Sequence, residues 1–168
     1  AEGGALRDDQ TRVKNVRRIP GQNSVPFEDT KLIRFSSENR ANDRLAEYAI
    51  DGKPSTVWHS QFSQEKKKHP HELVSDLGQT RMINGFYYLA RQDKGWNGAF
   101  GETEFYVSDK ADHFPEEPYV RYHFQKEKQA QRVEGAEISC RYVLVRNISE
   151  VAGNDFGSAA DIAVVLAR

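Results

Sequence analysis

The chain has 168 residues, 38% of them hydrophobic, which is enough for one sizeable core and too little for two. Lys and Arg number 24 against 25 Asp and Glu, a net charge of -1, so the chain has neither the basic excess of a nucleic-acid binder nor an acidic solvating block. No apolar run reaches the roughly 18 residues that span a bilayer, which predicts a soluble chain without membrane insertion, and the lone Cys140 excludes an internal disulfide.

Residues 1–30 are charged and glycine-containing, with no helical or strand periodicity, and read as a linker or an N-terminal arm; residues 31–168 read as the domain. Residues 31–37 form the first predicted strand. Ala41, Leu45, Tyr48 and Ala49 have helix-like spacing, which predicts one or two helical turns ahead of a tight turn at Asp51 and Gly52. A polar, basic loop covers 65–71. A strand over 73–78 closes at Gly78, and a second over 82–90, apolar on both faces, suits the centre of a packed sheet. The glycine-rich segment 91–101 is a long loop between strong strands, where function tends to sit. Strands are predicted over 103–108, 119–124, 138–148 and 162–167, separated by turn-rich segments. With hardly any helix and no alternation of strands with helices, the pattern is all-β, an antiparallel β-sandwich.

The stretch 51–62 brings two kinds of chemistry close together. Asp51, Ser55, Thr56 and bent backbone carbonyls are oxygen ligands suited to a hard cation. Beyond them, strand alternation puts Trp58 on one face and His59 on the other, so that His59 faces outward if Trp58 anchors the core.

Several short pieces, in order, carry a resemblance: Ala-Ile-Asp-Gly at 49–52, Ser-Thr-Val-Trp-His-Ser at 55–60, Leu-Gly at 77–78, Tyr-Leu-Ala-Arg-Gln at 88–92, Asn-Gly at 97–98, Phe-Tyr-Val-Ser at 105–108, Tyr-Val-Leu-Val at 142–145 and Ala-Asp-Ile at 160–162. Together they resemble the discoidin family, also called coagulation factor 5/8 type C, and most closely its bacterial branch, the family 32 carbohydrate-binding modules. The resemblance implies a discoidin-type jelly roll with a shallow sugar site formed by loops at one end. It implies a structural Ca2+ held by side-chain oxygens of Asp51, Thr56 and Asp161 and by carbonyls of Tyr48, Lys53, Thr56 and Ala160. Asp161 departs from the glutamate usual in the family, shortening the reach by one methylene.

The resemblance also places sugar-binding roles on His59, Phe62, Arg91, Asn97 and Phe156. A pyranose needs an aromatic surface for its C–H face and polar groups for its hydroxyls, and these residues supply both. The His/Arg/Asn trio implies galactose or N-acetylgalactosamine as ligand. Phe62 stands where many relatives carry tryptophan and offers less stacking area; Trp96 is a candidate to compensate. One small polar sugar on an open site buries little area, so micromolar to millimolar affinity is expected.

The implied protein is a non-catalytic, monomeric module in a bacterial extracellular, periplasmic or cell-surface setting, directing an attached glycoside hydrolase or surface protein to glycans. The rival reading is a discoidin-type protein-interaction domain that binds no sugar. An enzyme is disfavoured: Glu102 with Glu104, and Glu116 with Glu117, are not placed as two acids facing each other across a sugar. Cys140 lies in an apolar strand and reads as buried, and His69 with His71 lacks partners at metal-ligand spacing.

Overall fold

The computed structural model describes residues 23–167. Eight strands among them set the architecture: β1 (Lys31–Phe35), β2 (Trp58–His59), β3 (His71–Leu89), β4 (Glu102–Ser108), β5 (Val120–His123), β6 (Gln131–Asn147), β7 (Ser158–Ala159) and β8 (Asp161–Leu166). All of their pairings are antiparallel. The helical turns predicted before Asp51 are two short 3-10 turns, Arg40–Asn42 and Ala46–Ala49.

Two long strands serve both layers of the sandwich. The first part of β3 lies between β1 and the end of β6, which continues through β4 to β5. The second part of β3 lies between β8 and the start of β6. The register of β3 on β6 shifts between Asp76 and Arg81, where the strand passes from one layer to the other. The two strands expected over 73–78 and 82–90 are therefore one bent strand. Its apolar second half is a central strand as predicted, with Phe86, Tyr87, Tyr88 and Leu89 all buried. The start of β6, Gln131–Glu137, escapes the sequence pattern because only Val133 among its buried residues is strongly apolar, while the pairing with β3 is made by the backbone.

The layers meet through aromatic rings. Phe86 of β3 stacks on Phe105 of β4 at 4.3 Å between ring centroids, and Tyr88 stacks on Phe100 at 4.3 Å. Trp58 is fully buried against Phe100, with its indole N–H donating to the Ser37 carbonyl at 2.9 Å. Cys140 is also fully buried, and desolvation pushes its thiol up to about 12, leaving it a core side chain rather than a nucleophile.

The boundary drawn at residue 30 moves. Residues 1–22 lie outside the described residues, but Val25 is buried and its N–H donates to the Val164 carbonyl at 2.8 Å, so the stretch from Ser24 extends the β8 edge. Phe27, in a 3-10 turn over Phe27–Asp29, lies against Gly52; a Cβ there would come within 2.6 Å of the phenyl ring, and Gly52 has φ +77. The arm's end thus covers the Asp51 turn. Its composition hides this role because two apolar anchors suffice where a neighbouring strand edge supplies the hydrogen bonds.

Candidate functional site

The end of the sandwich where β2 and β7 pair brings together all five residues implicated in sugar binding. His59 sits opposite Ser158 in this short ladder, and the Ser60 N–H donates to the Gly157 carbonyl at 2.8 Å. That pairing draws Phe156 beside His59. The ring centroids of His59 and Phe62 are 4.9 Å apart, those of His59 and Phe156 5.2 Å, and those of Phe62 and Phe156 6.0 Å. His59 does not face outward as alternation predicted; it is 3% exposed. A two-residue strand does not impose a solvent face, and the two phenyl rings close over the imidazole. Phe62 itself remains 39% exposed.

The tautomer of His59 follows from its neighbours. Nδ1 lies 2.7 Å from the Ser60 carbonyl, which can only accept, so Nδ1 carries the proton and Nε2 is left as an acceptor. Burial holds the imidazole below its ordinary range, and the positive charges of Arg91 and Arg44 act in the same direction.

Arg91 lies two residues past the end of β3 and is clamped by its hydrogen bonds. Its Nε and Nη2 both donate to the Asp93 carboxylate at 2.8 Å, and its Nη1 donates to the Asn97 carbonyl at 3.1 Å. The guanidinium keeps donors beyond these three, and its charge reaches His59. Asn97 is exposed, and its carbonyl also accepts from the Ser158 hydroxyl at 2.8 Å. Gly98, with φ +90, lies where a Cβ would come within 2.5 Å of that hydroxyl, so glycine lets the loop close on β7. Trp96 does not serve as an extra platform: it packs on the core, and the Lys128 ammonium covers its ring at 3.9 Å from the centroid.

Four supporting residues were given no part in the site by the sequence, His71 having been weighed only as a metal ligand. Glu150 is buried, with one carboxylate oxygen accepting from the Gly98 N–H at 2.7 Å and the other from the Asn154 N–H at 2.9 Å. It thereby ties the Arg91/Asn97 loop to the Phe156 loop. Lys128 donates to the carbonyls of Arg91, Asp93 and Gly95, each at 2.8 Å. Buried His71 donates through Nε2 to the Asp155 carbonyl at 2.6 Å, bracing the residue before Phe156. Asn39 accepts from the N–H groups of Phe62 and Ser63, each at 3.0 Å. Nothing local in the sequence marks these residues, since each reaches a distant loop. His69 is used similarly, its Nε2 lying 3.0 Å from the Asn147 side-chain oxygen.

On the other side of Trp58, the Asp51 turn holds a different kind of site. Asp51 accepts from the Lys53 N–H at 3.0 Å and from the Thr56 hydroxyl at 2.6 Å. The Lys53 carbonyl accepts from the same hydroxyl at 3.0 Å, and Tyr48 lies within the helical turn Ala46–Ala49 just before it. Asp161, 4% exposed, opens β8 directly after Ala160, and the segment touches the same helical turn. Burial pushes the Asp51 carboxyl up to about 6, and the negative charge of Asp161 adds to that rise. Two carboxylates that repel each other among hydroxyl and carbonyl oxygens form a donor set of hard-cation type.

A family model described as the F5/8 type C domain matches residues 33–162. The chain belongs to the F5/8 type C domain family. This F5/8 type C domain is 30% identical over 130 residues to a sialidase from Micromonospora viridifaciens, the match covering 77% of this chain and 20% of that protein. It is 30% identical over 117 residues to a galactose oxidase from Gibberella zeae, covering 69% of this chain and 17% of that protein. The chain therefore spans about a fifth of the length of these relatives or less. Among solved structures, a family 32 module of Clostridium perfringens, CpGH89CBM32-5 in complex with GalNAc-beta-1,3-galactose, superposes with a TM-score of 0.76 at 26% identity, covering 84% of this chain and 99% of that one. The family 32 module of Clostridium perfringens NanJ, in complex with galactose, gives a TM-score of 0.72 at 20% identity, covering 86% of this chain and 98% of that one. The antiparallel sandwich of the F5/8 type C domain is thus also that of the family 32 modules.

Proposed function

We propose that this domain is a non-catalytic carbohydrate-binding module for galactose or N-acetylgalactosamine, serving a larger glycan-directed protein outside the cytoplasm. The observation that carries this reading is the cluster of His59, Phe62 and Phe156 rings beside the clamped Arg91 and exposed Asn97. The aromatic surfaces of Phe62 and Phe156 take the C–H face of the pyranose. Arg91 donates to its hydroxyls, Asn97 donates and accepts, and His59 accepts through the edge at Nε2. The sugars named for the two solved relatives agree with this choice.

The same reading includes a structural Ca2+ held by Asp51, Asp161 and Thr56 with carbonyls of Tyr48, Lys53, Thr56 and Ala160. The electrostatic repulsion between Asp51 and Asp161 supports it, since a bound dication would offset that repulsion. The ion would pin β8 to the turn and take no part in chemistry.

Calorimetric titration with galactose and N-acetylgalactosamine, calcium present, tests the sugar assignment. Binding in the micromolar to millimolar range, lost by at least about tenfold in Arg91→Ala and in His59→Ala, is the expected result. Absence of binding at millimolar sugar, with a protein partner captured instead, would establish the protein-interaction reading.

A further inference from the structure

We infer that the domain carries a second subsite, a cleft of about 550 Å³ walled by segments 35–41 and 61–64, which holds the next residue of a glycan whose terminal sugar occupies the first site. The inference rests on the sugar-binding assignment above and deepens it from a monosaccharide to an oligosaccharide. Its size falls within the range of small-molecule sites.

Adjacency comes from the covalent chain. The ring of Phe62 belongs to the first site, against His59 and Phe156, while its neighbours Gln61 and Ser63 line the cleft. Phe62 is the partition between the two, and a glycan leaving the first site over its exposed ring passes directly into the cleft. The wall is built to stay in place. Asn39, 1% exposed, receives the N–H groups of Phe62 and Ser63, and its own amide donates to the Ser63 hydroxyl at 3.1 Å. The Ser37 hydroxyl accepts from the Gln61 N–H at 3.0 Å, joining the facing walls.

The lining matches a pyranose in kind. Phe35, 43% exposed, supplies an aromatic surface at the end of β1. Gln61 spends its amide N–H on the Ser63 carbonyl at 3.3 Å and keeps its side-chain oxygen as an acceptor. Gln64 is exposed and stands at φ +72, a left-handed conformation that glycine or asparagine would adopt more readily. Arg40 is bonded through Nε to Glu38 at 2.8 Å and is 77% exposed, so its terminal nitrogens face the solvent side of the cleft. Glu38 is fully used, its other oxygen accepting from the Ala46 N–H at 2.8 Å. With that carboxylate paired and no other acid in the lining, the cleft is a neutral surface with an aromatic wall, suited to an uncharged hexose or N-acetylhexosamine and lacking the free acids of a catalytic or cation site.

The probes are galactose and the tetrasaccharides lacto-N-tetraose and lacto-N-neotetraose, both ending in galactose, measured by calorimetry and by amide-shift mapping. At least one tetrasaccharide should bind about 3- to 10-fold more tightly than galactose, the gain one aromatic contact supplies, and should shift the Gln64 and Arg40 amides that galactose leaves in place. Phe35→Ala and Gln64→Gly, both at exposed positions, should remove that gain while leaving galactose affinity unchanged, and Gln64→Gly should not lower the melting temperature, since glycine adopts the left-handed conformation without strain. Equal affinity for galactose and both tetrasaccharides, or a gain that survives both substitutions, overturns the subsite and leaves the sugar assignment standing. Failure of the unaltered chain to bind any of the three overturns both.

Discussion

The two sides of Trp58 achieve order by opposite means. The Asp51 turn gathers like charges, Asp51 and Asp161, and its carboxyl is pushed up to about 6 by burial and repulsion. The ring site gathers apolar surface and balances its charges locally: Arg91 lies on Asp93, Glu150 on two backbone N–H groups, and Lys128 on three carbonyls. A pair of like charges such as Asp51 and Asp161 is the arrangement that a bound cation would stabilise, as proposed for the turn. A balanced cluster is already rigid and offers a surface to a neutral ligand, which is the arrangement preorganised binding needs.

The largest expected effect removes the partition between the two sides. Trp58→Ala opens a cavity in the core and cuts the bond to Ser37, and should cost about 3–5 kcal/mol in a denaturant melt. Calcium affinity and galactose affinity should both fall, because both sites hang from this strand; loss of one alone would show that the two sites are independent.

A second prediction isolates the turn. Adding a chelator should lower the unfolding free energy by about 2–4 kcal/mol, the linkage expected for an ion present at 100 to 1,000 times its Kd. An unchanged melting temperature would exclude a structural ion.

Glu150→Gln isolates the loops. A glutamine side chain has one acceptor oxygen for the two N–H groups of Gly98 and Asn154, so stability should fall by about 1.5–3 kcal/mol. Galactose binding should weaken while the chelator response stays intact.

The smallest effect is the response to acid, which should differ in sign between the two sides. His59 and His71 are held below their ordinary value of 6.5 by burial, so the unfolded chain takes up their protons first. Their contribution is present above pH 6.5 and is lost as pH falls from there through their folded values. Asp51 is raised from 3.8 to about 6, so with chelator present its protonation favours the folded state as pH falls through that interval. NMR titration should place both imidazoles below 6.5 and the Asp51 carboxyl above 3.8; an imidazole titrating above 6.5 would contradict the burial of that histidine.

Much of this was legible in the chain itself. Period-two apolar runs such as 103–108 and the doubly apolar 82–90 announce a packed antiparallel sandwich, because alternation and burial are local consequences of side-chain type. The motif pieces likewise contain Arg91, Asn97 and Asp51, and the resemblance they carry pointed to Phe156. What the sequence could not decide were properties that depend on which distant segments meet. The burial of His59 comes from Phe62 and Phe156, whose rings close over it only once β2 pairs with β7. Glu150 reads as an ordinary surface acid until the fold sets Gly98 and Asn154 on either side of it. The start of β6 lacks an apolar pattern, and residues 24–30 look like linker, because backbone hydrogen bonds to a neighbouring strand carry no signature in side chains. Composition and periodicity therefore determined the class of fold, and the family resemblance proposed the cast of the site, while the depth, charge balance and rigidity of that region arose from contacts that exist only in three dimensions.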